Sequence, residues 1–185
     1  MTSEPAKGIG SYDPRTWKLR TFHDHRQNFL EGTDTPRDYL ERCLEVIERL
    51  ETEVKAWAYL NTDAARKAAD ESTERYKAGK PISLVDGMPI GIKDLIETAD
   101  MPTEYNSDLF RGNQPIRDAA SVYFLRKGGA IIIGKTVTIT FGGGDPAETR
   151  NPFDLGRTPG GSSSGTCAGV GSTMIPCGLG THGRG

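Results

Sequence analysis

The chain has 185 residues, enough for one domain of ordinary size or for a large piece of a bigger one. Lys and Arg number 23 against 25 Asp and Glu, a formal net charge of -2, so no overall basic field draws the chain to nucleic acid or to anionic lipid. The opening Met1-Thr-Ser-Glu-Pro-Ala-Lys7 lacks the apolar centre of a signal peptide, and no run of about eighteen apolar residues occurs; both features predict a soluble, cytoplasmic protein without a membrane partner. Cys43, Cys167 and Cys177 are odd in number and fit neither a disulfide framework nor a paired zinc spacing, and all three read as small buried residues.

Residues 1–33 are polar and read as an irregular N-terminal arm, with Trp17 and Phe22 as its packing points. A helical front segment, 34–80, begins at Thr35-Pro36-Arg37-Asp38: a hydroxyl cap, proline at the first helical position and an acid near the positive end of the dipole. Tyr39, Leu40, Cys43, Leu44, Val46, Ile47 and Leu50 then recur at helical spacing and form one apolar face. Trp57-Ala-Tyr-Leu60 reads as a short strand, and Asn61-Thr-Asp63 as the cap of an alanine-rich helix that closes at Gly79.

The stretch 81–185 has the texture of an α/β core. Met88-Pro-Ile-Gly-Ile92 reads as a buried strand running into Lys93-Asp94, with β-prone character continuing from Leu95 to Thr98. Asp118 is placed to cap a helix through Arg126, which Gly128-Gly129 ends before a second apolar strand, Ala130-Ile-Ile-Ile-Gly134. A long loop spans Phe141 to Gly156. After the serine cluster, Thr166 to Val170 is small and helix-compatible, and Ser172 to Gly180 returns toward a strand.

Four features bear on chemistry. A lysine directly after a buried strand is held beside apolar walls, and burial disfavours its charged form, so Lys93 is a candidate general base. Asp94 would keep that lysine charged by pairing with it, unless strand alternation turns the two side chains to opposite faces; the sequence leaves this open. Ser162-Ser163-Ser164, flanked by Gly160-Gly161 and Gly165, sets hydroxyls close to bare backbone amides, or else is a flexible linker; its position between apolar elements speaks against a linker. Gly129-Ala-Ile-Ile-Ile-Gly134-Lys135-Thr136 matches G-x-x-x-x-G-K-T, the pattern of a phosphate-binding loop. Consecutive isoleucines favour burial in an extended strand over an exposed loop, so this nucleotide-binding alternative is remote. His23 and His25 read as solvated and His182 as near any chemistry of the terminal glycine loop, too scattered for a metal site.

Gly87-Met-Pro-Ile-Gly-Ile-Lys93-Asp94, Gly134-Lys135-Thr136, Arg150-Asn-Pro and Pro159-Gly-Gly-Ser-Ser-Ser-Gly165 stand in one order at one set of spacings. In that joint pattern, over roughly Thr35 to Gly185, the chain resembles the amidase signature family of Ser-cisSer-Lys serine hydrolases. The resemblance implies the N-terminal part of an amidase signature fold, a mixed β-sheet core covered by helices and incomplete in this chain. It implies an amide-bond hydrolase acting on carbon-nitrogen bonds other than peptide bonds through an acyl-enzyme, with a small-molecule amide as substrate. No metal or organic cofactor and no nucleic acid is expected, and homo-oligomerisation stays open.

By the same resemblance, Lys93 matches the lysine base and Ser162 the bridging serine in a cis peptide, with Gly160, Gly161 and Ser163 supporting that loop. Gly183, Arg184 and Gly185 match the loop whose amides form the oxyanion hole. The family's Asp-Thr-Gly-Gly is replaced there by His182-Gly183-Arg184-Gly185, and a basic Arg184 in place of glycine puts in doubt the close backbone approach or favours an acidic substrate. The nucleophilic serine would fall one residue past Gly185, so this chain is expected to be inactive by itself. A non-catalytic fragment and an amidotransferase-type subunit, which shares these motifs, are the alternatives.

Overall fold

The structure, a computed structural model, describes residues 9, 12–13 and 15–183. Helix α1 spans His23–Glu31 and α2 spans Pro36–Val54. Thr35 caps α2 by accepting a hydrogen bond from the Asp38 amide at 3.0 Å, and Pro36 occupies the first turn, where its missing N–H costs nothing. The apolar stripe does what its spacing predicts: Tyr39, Leu40, Cys43, Leu44, Ile47 and Leu50 are all buried.

Strand β1 is Trp57–Leu60, α3 is Thr62–Lys77 and β2 is Pro89–Lys93. Helix α4, Ala120–Lys127, leads through Gly128-Gly129 into β3, Ile131–Thr136; helix α5 is Ser164–Gly171, and the short β4 is Cys177–Leu179. The sheet order is β1-β3-β2-β4, with β2 parallel to both β3 and β4, and β1 antiparallel to β3. This is the mixed sheet with covering helices that the resemblance implies.

Two cores flank the sheet. One joins Ile131 and Ile133 to α2, α3 and α5 through Leu40, Ile47, Ala69, Ala168 and Ile175. The other packs Ile90, Ile92 and Ile132 beneath Val122 of α4. Gly134 lets β1 approach β3 closely: a Cβ there would lie 2.1 Å from the Tyr59 carbonyl oxygen.

Several expectations are corrected. The arm is not irregular throughout, since α1 lies within it; α1 buries only Phe29 and has no side-chain cap, so it carries no apolar stripe to read. Trp17 and Phe22 do anchor this region, Trp17 edge-on to Phe153 at 5.0 Å and Phe22 against Phe29 and Tyr39. His25 is half-buried, its ring tilted against that of Tyr39 in α2 with centroids 4.5 Å apart. Leu95 to Thr98 is no strand: the chain turns after Lys93, with the Ile96 amide bonded to the Lys93 carbonyl at 2.9 Å.

Asn61 stands at the start of α3 without a side-chain cap bond. Asp118 does not cap α4 either; its carboxylate is taken by the Ala99 amide at 2.8 Å and by Arg126 Nε at 3.0 Å. Cys43 is buried but Cys167 is exposed, its neighbours Thr166 and Ala168 being the residues that face the sheet. The G-x-x-x-x-G-K-T run is a turn followed by a fully buried strand and offers no exposed glycine-rich loop to a phosphate. Among the described residues no helix is long and apolar enough to cross a membrane.

Two substitutions test these contacts in urea unfolding. Thr35→Ala removes the α2 cap and is expected to cost about 1 kcal/mol. Gly134→Ala forces a methyl group into the Tyr59 carbonyl and is expected to cost about 1–3 kcal/mol.

Candidate active site

Parallel pairing of β2 with β3 brings the C-terminal ends of the two strands together, Ile92 opposite Lys135 and Lys93 opposite Thr136. Successive residues of a strand point to opposite faces, so the lysines part: Lys93 shares a face with Thr136, and Lys135 takes the other. Both lysines are fully buried, each 0 % exposed. A buried ammonium must find partners or lose its proton, and the two faces offer different company.

On its face, Lys93 Nζ lies 2.5 Å from Ser162 Oγ, 2.8 Å from Thr181 Oγ1 and 3.3 Å from the Thr181 carbonyl oxygen. These oxygens carry no formal charge. Burial pushes the Lys93 pKa below the ordinary lysine value, with the nearby Cys167 acting in the opposite direction.

The other face holds the carboxylate. Lys135 Nζ lies 3.1 Å from Asp94 Oδ1, 2.5 Å from Thr103 Oγ1 and 3.2 Å from the Pro102 carbonyl. Asp94, 2 % exposed, also accepts from the Glu104 amide at 3.1 Å. Burial pushes the Asp94 pKa up and that of Lys135 down, while their mutual contact opposes both shifts. The question left open by the sequence is thereby answered: Asp94 pairs with Lys135.

The serine loop is fastened from both sides. The Ile139 amide and Thr138 Oγ1 each donate to the Ser162 carbonyl at 3.1 Å. Ser163 Oγ donates to the Thr181 carbonyl at 3.0 Å and accepts from the Thr181 amide at 3.2 Å. The Gly161-Ser162 peptide is cis, and Gly160 has φ +96, a conformation open to glycine. Gly165 permits a close approach: its amide bonds to the Val137 carbonyl at 2.9 Å, and a Cβ would lie 2.2 Å from the Ala56 carbonyl oxygen.

Ser162 opens onto a cavity of about 330 Å³ lined also by Ile139, Gly142, Gly143, Gly161, His182 and Gly183. Of the residues singled out in the sequence, Lys93, Ser162, Ser163, Gly160, Gly161, His182 and Gly183 therefore gather at one place. Arg184 and Gly185 lie outside the described residues. Sequence reasoning missed Thr181, which brackets both the lysine and the loop, and Thr138; nothing distinguishes a threonine that reaches a buried amine from one at an ordinary strand end until the pairing of β4 with β2 is known.

The family model described as Amidase matches residues 38–185. The chain belongs to the amidase family. Among its relatives is a glutamyl-tRNA(Gln) amidotransferase subunit from Chloroflexus aggregans, 37% identical over 156 residues that make up 81% of this chain and 32% of that protein. In structure it is similar to the native peptide amidase of Stenotrophomonas maltophilia, with a TM-score of 0.79 at 27% identity over 88% of this chain and 36% of that one. It is also similar to a chain from a vestigial protein complex that reveals the origins of an s-triazine catabolic enzyme, with a TM-score of 0.82 at 27% identity, 87% of this chain and 37% of that one. The chain spans about a third of the length of the curated relatives it matches.

The buried amine has a measurable consequence that needs no turnover. A lysine whose folded pKa lies below its unfolded value binds fewer protons when folded; between the two values stability therefore rises with pH, by about 1.4 kcal/mol for each pH unit that separates them. The Lys93 contribution to unfolding free energy is expected to rise with pH below the ordinary lysine value, and Lys93→Met to remove it in urea titrations, while Cys43 and Cys177, whose thiols burial pushes up, pull the other way above the ordinary thiol value. Lys135 contributes in the same direction as Lys93, so some slope survives the substitution.

Proposed function

We propose that this chain contributes the base and the bridging serine of a Ser-cisSer-Lys relay that hydrolyses amide bonds of small molecules. The observation that carries the reading is the fully buried Lys93, whose Nζ sits 2.5 Å from Ser162 Oγ while the nearby carboxylate is engaged by Lys135. An amine without a carboxylate partner is the one that gives up its proton when desolvated.

In this mechanism neutral Lys93 accepts the Ser162 hydroxyl proton as Ser162 accepts one from the nucleophile, a serine that the family resemblance places one residue past Gly185. The nucleophile oxygen attacks the amide carbonyl. The relayed proton then passes to the departing nitrogen, ammonia or an amine leaves, and water releases the acid from the acyl-enzyme. By the family resemblance the oxyanion falls to backbone amides of the loop that begins at Gly183; one such donor is typically worth about 10² to 10³ in rate. The 330 Å³ cavity at Ser162 receives the substrate.

A second reading rests on the relatives named as glutamyl-tRNA(Gln) amidotransferase subunits: the same relay would release ammonia from an amide for transfer to a carrier-bound acyl group. Ammonia release from glutamine, outrunning that from simple amides, separates this reading from the first. A non-catalytic fragment would show neither.

Amide hydrolysis is to be compared between the 185-residue chain and a longer one that supplies a serine immediately after Gly185. The shorter chain is expected to be inactive. In the longer one, Lys93→Ala and Ser162→Ala are each expected to lower kcat by about 10² to 10⁴ with unfolding curves little changed. Equal activity of the two chains, or near-parental turnover in either variant, contradicts the relay.

A further inference from the structure

The fold buries two lysines at the ends of adjacent parallel strands, and the relay uses only one. Lys135 is as deeply buried as Lys93, and its Nζ reaches Asp94, Thr103 and the Pro102 carbonyl. Asp94 follows Lys93 directly in the chain, which makes its carboxylate the negative group closest in sequence to the proposed base. With no counter-ion of its own, that carboxylate would be buried and unpaired beside the one amine that has to be neutral.

We propose that Lys135 is a positioning residue for the amide-hydrolysing site: by holding the Asp94 carboxylate on the opposite face of the sheet, it leaves Lys93 in contact with uncharged oxygens alone. The inference rests on Lys93 acting as the base. Three features of the geometry support it. The register sets Ile92 beside Lys135 and Lys93 beside Thr136, so strand alternation sorts the two amines to different faces. The chain turns immediately after Lys93, where the Asp94 amide bonds to the Thr136 carbonyl at 2.9 Å, fixing the direction in which the Asp94 side chain leaves. The Glu104 amide then holds the carboxylate from the segment that also supplies Thr103 and Pro102 to Lys135, so one clamp fastens the 102–104 segment to the strand ends.

Other titratable groups face these residues. Cys167 of α5 acts on Lys93, and His182 lines the cavity at Ser162. Glu97, Asp100, Glu104 and Tyr105 lie around the Asp94–Lys135 pair. None of them takes the place of Asp94 on Lys135 Nζ, whose hydrogen-bond acceptors beyond that carboxylate are the Thr103 hydroxyl and the Pro102 carbonyl.

The test uses the longer chain that carries the nucleophile and reads the acid limb of the kcat/KM profile against pH. In Lys135→Met the freed carboxylate is expected to keep Lys93 protonated to higher pH, moving the limb up by about one pH unit or more, so that turnover at pH 7 falls about tenfold or more and recovers on raising the pH. Asp94→Asn/Lys135→Met, which removes both charges, is expected to return the limb to the parental position. A purely structural role predicts instead a loss at every pH, with the limb unmoved and the double variant no better than the single one; that outcome overturns the proposal. If Lys135→Met does not fold, the double variant decides, since removing both partners leaves no buried charge unpaired: a parental limb with turnover within about tenfold of the parent supports the proposal, and loss at every pH overturns it. Lys93→Ala separates this inference from the reading beneath it. An unmoved limb in an enzyme that needs Lys93 defeats only the role of Lys135, whereas turnover that survives Lys93→Ala defeats the relay itself.

Discussion

The contact between Lys93 Nζ and Ser162 Oγ exists only because a long cationic side chain has been taken completely out of water. Burying an ammonium is costly unless its charge is paired or given up, and the surroundings of Lys93 supply hydroxyl and carbonyl oxygens rather than a carboxylate. The other arrangements at the strand ends follow from that constraint. The carboxylate that would have kept the amine charged is held across the sheet, the serine loop is fastened by Thr138 and Ile139, and Thr181 closes the remaining side.

The sheet makes this possible through topology. A parallel pair brings two strand ends to the same edge, whereas an antiparallel pair would have separated Lys93 from Lys135 and Thr136. The helices contribute by approaching closely, and α5 does so most of all: its first turn lies against the Val137 and Ala56 carbonyls, where no side chain fits at Gly165. From that approach come the Thr136–Thr166 hydroxyl contact at 2.6 Å and the placing of the serine cluster over the end of β2.

Much of this was legible in the sequence wherever a residue's neighbours along the chain determine its fate. The α2 stripe, the Thr35 cap, the two apolar strands and their glycine boundaries follow from periodicity and backbone preference, and all of them are present. Helix α1 was hidden because it buries a single residue, and the turn at Leu95 because a distant lysine draws Asp94 away. The motif spacing pointed to Lys93 and Ser162 but not to their company. Lys135 was read against a phosphate-loop pattern and as one member of the motif spacing, with no role of its own, and its pairing with Asp94 depends on a strand register that no local signal encodes. Thr181 was hidden for the same reason: it reaches Lys93 across 88 positions of the chain, through the pairing of β4.

Strand β4 is only three residues long and, among the described residues, lies at the rim of the sheet with β2 as its one strand neighbour. Thr181, two residues beyond it, is the lid on the lysine. The dryness that the proposed chemistry requires is therefore entrusted to the shortest strand among the described residues, at an edge whose local opening would admit water to the amine. Whatever lies against that rim in a longer polypeptide would govern the amine without touching it.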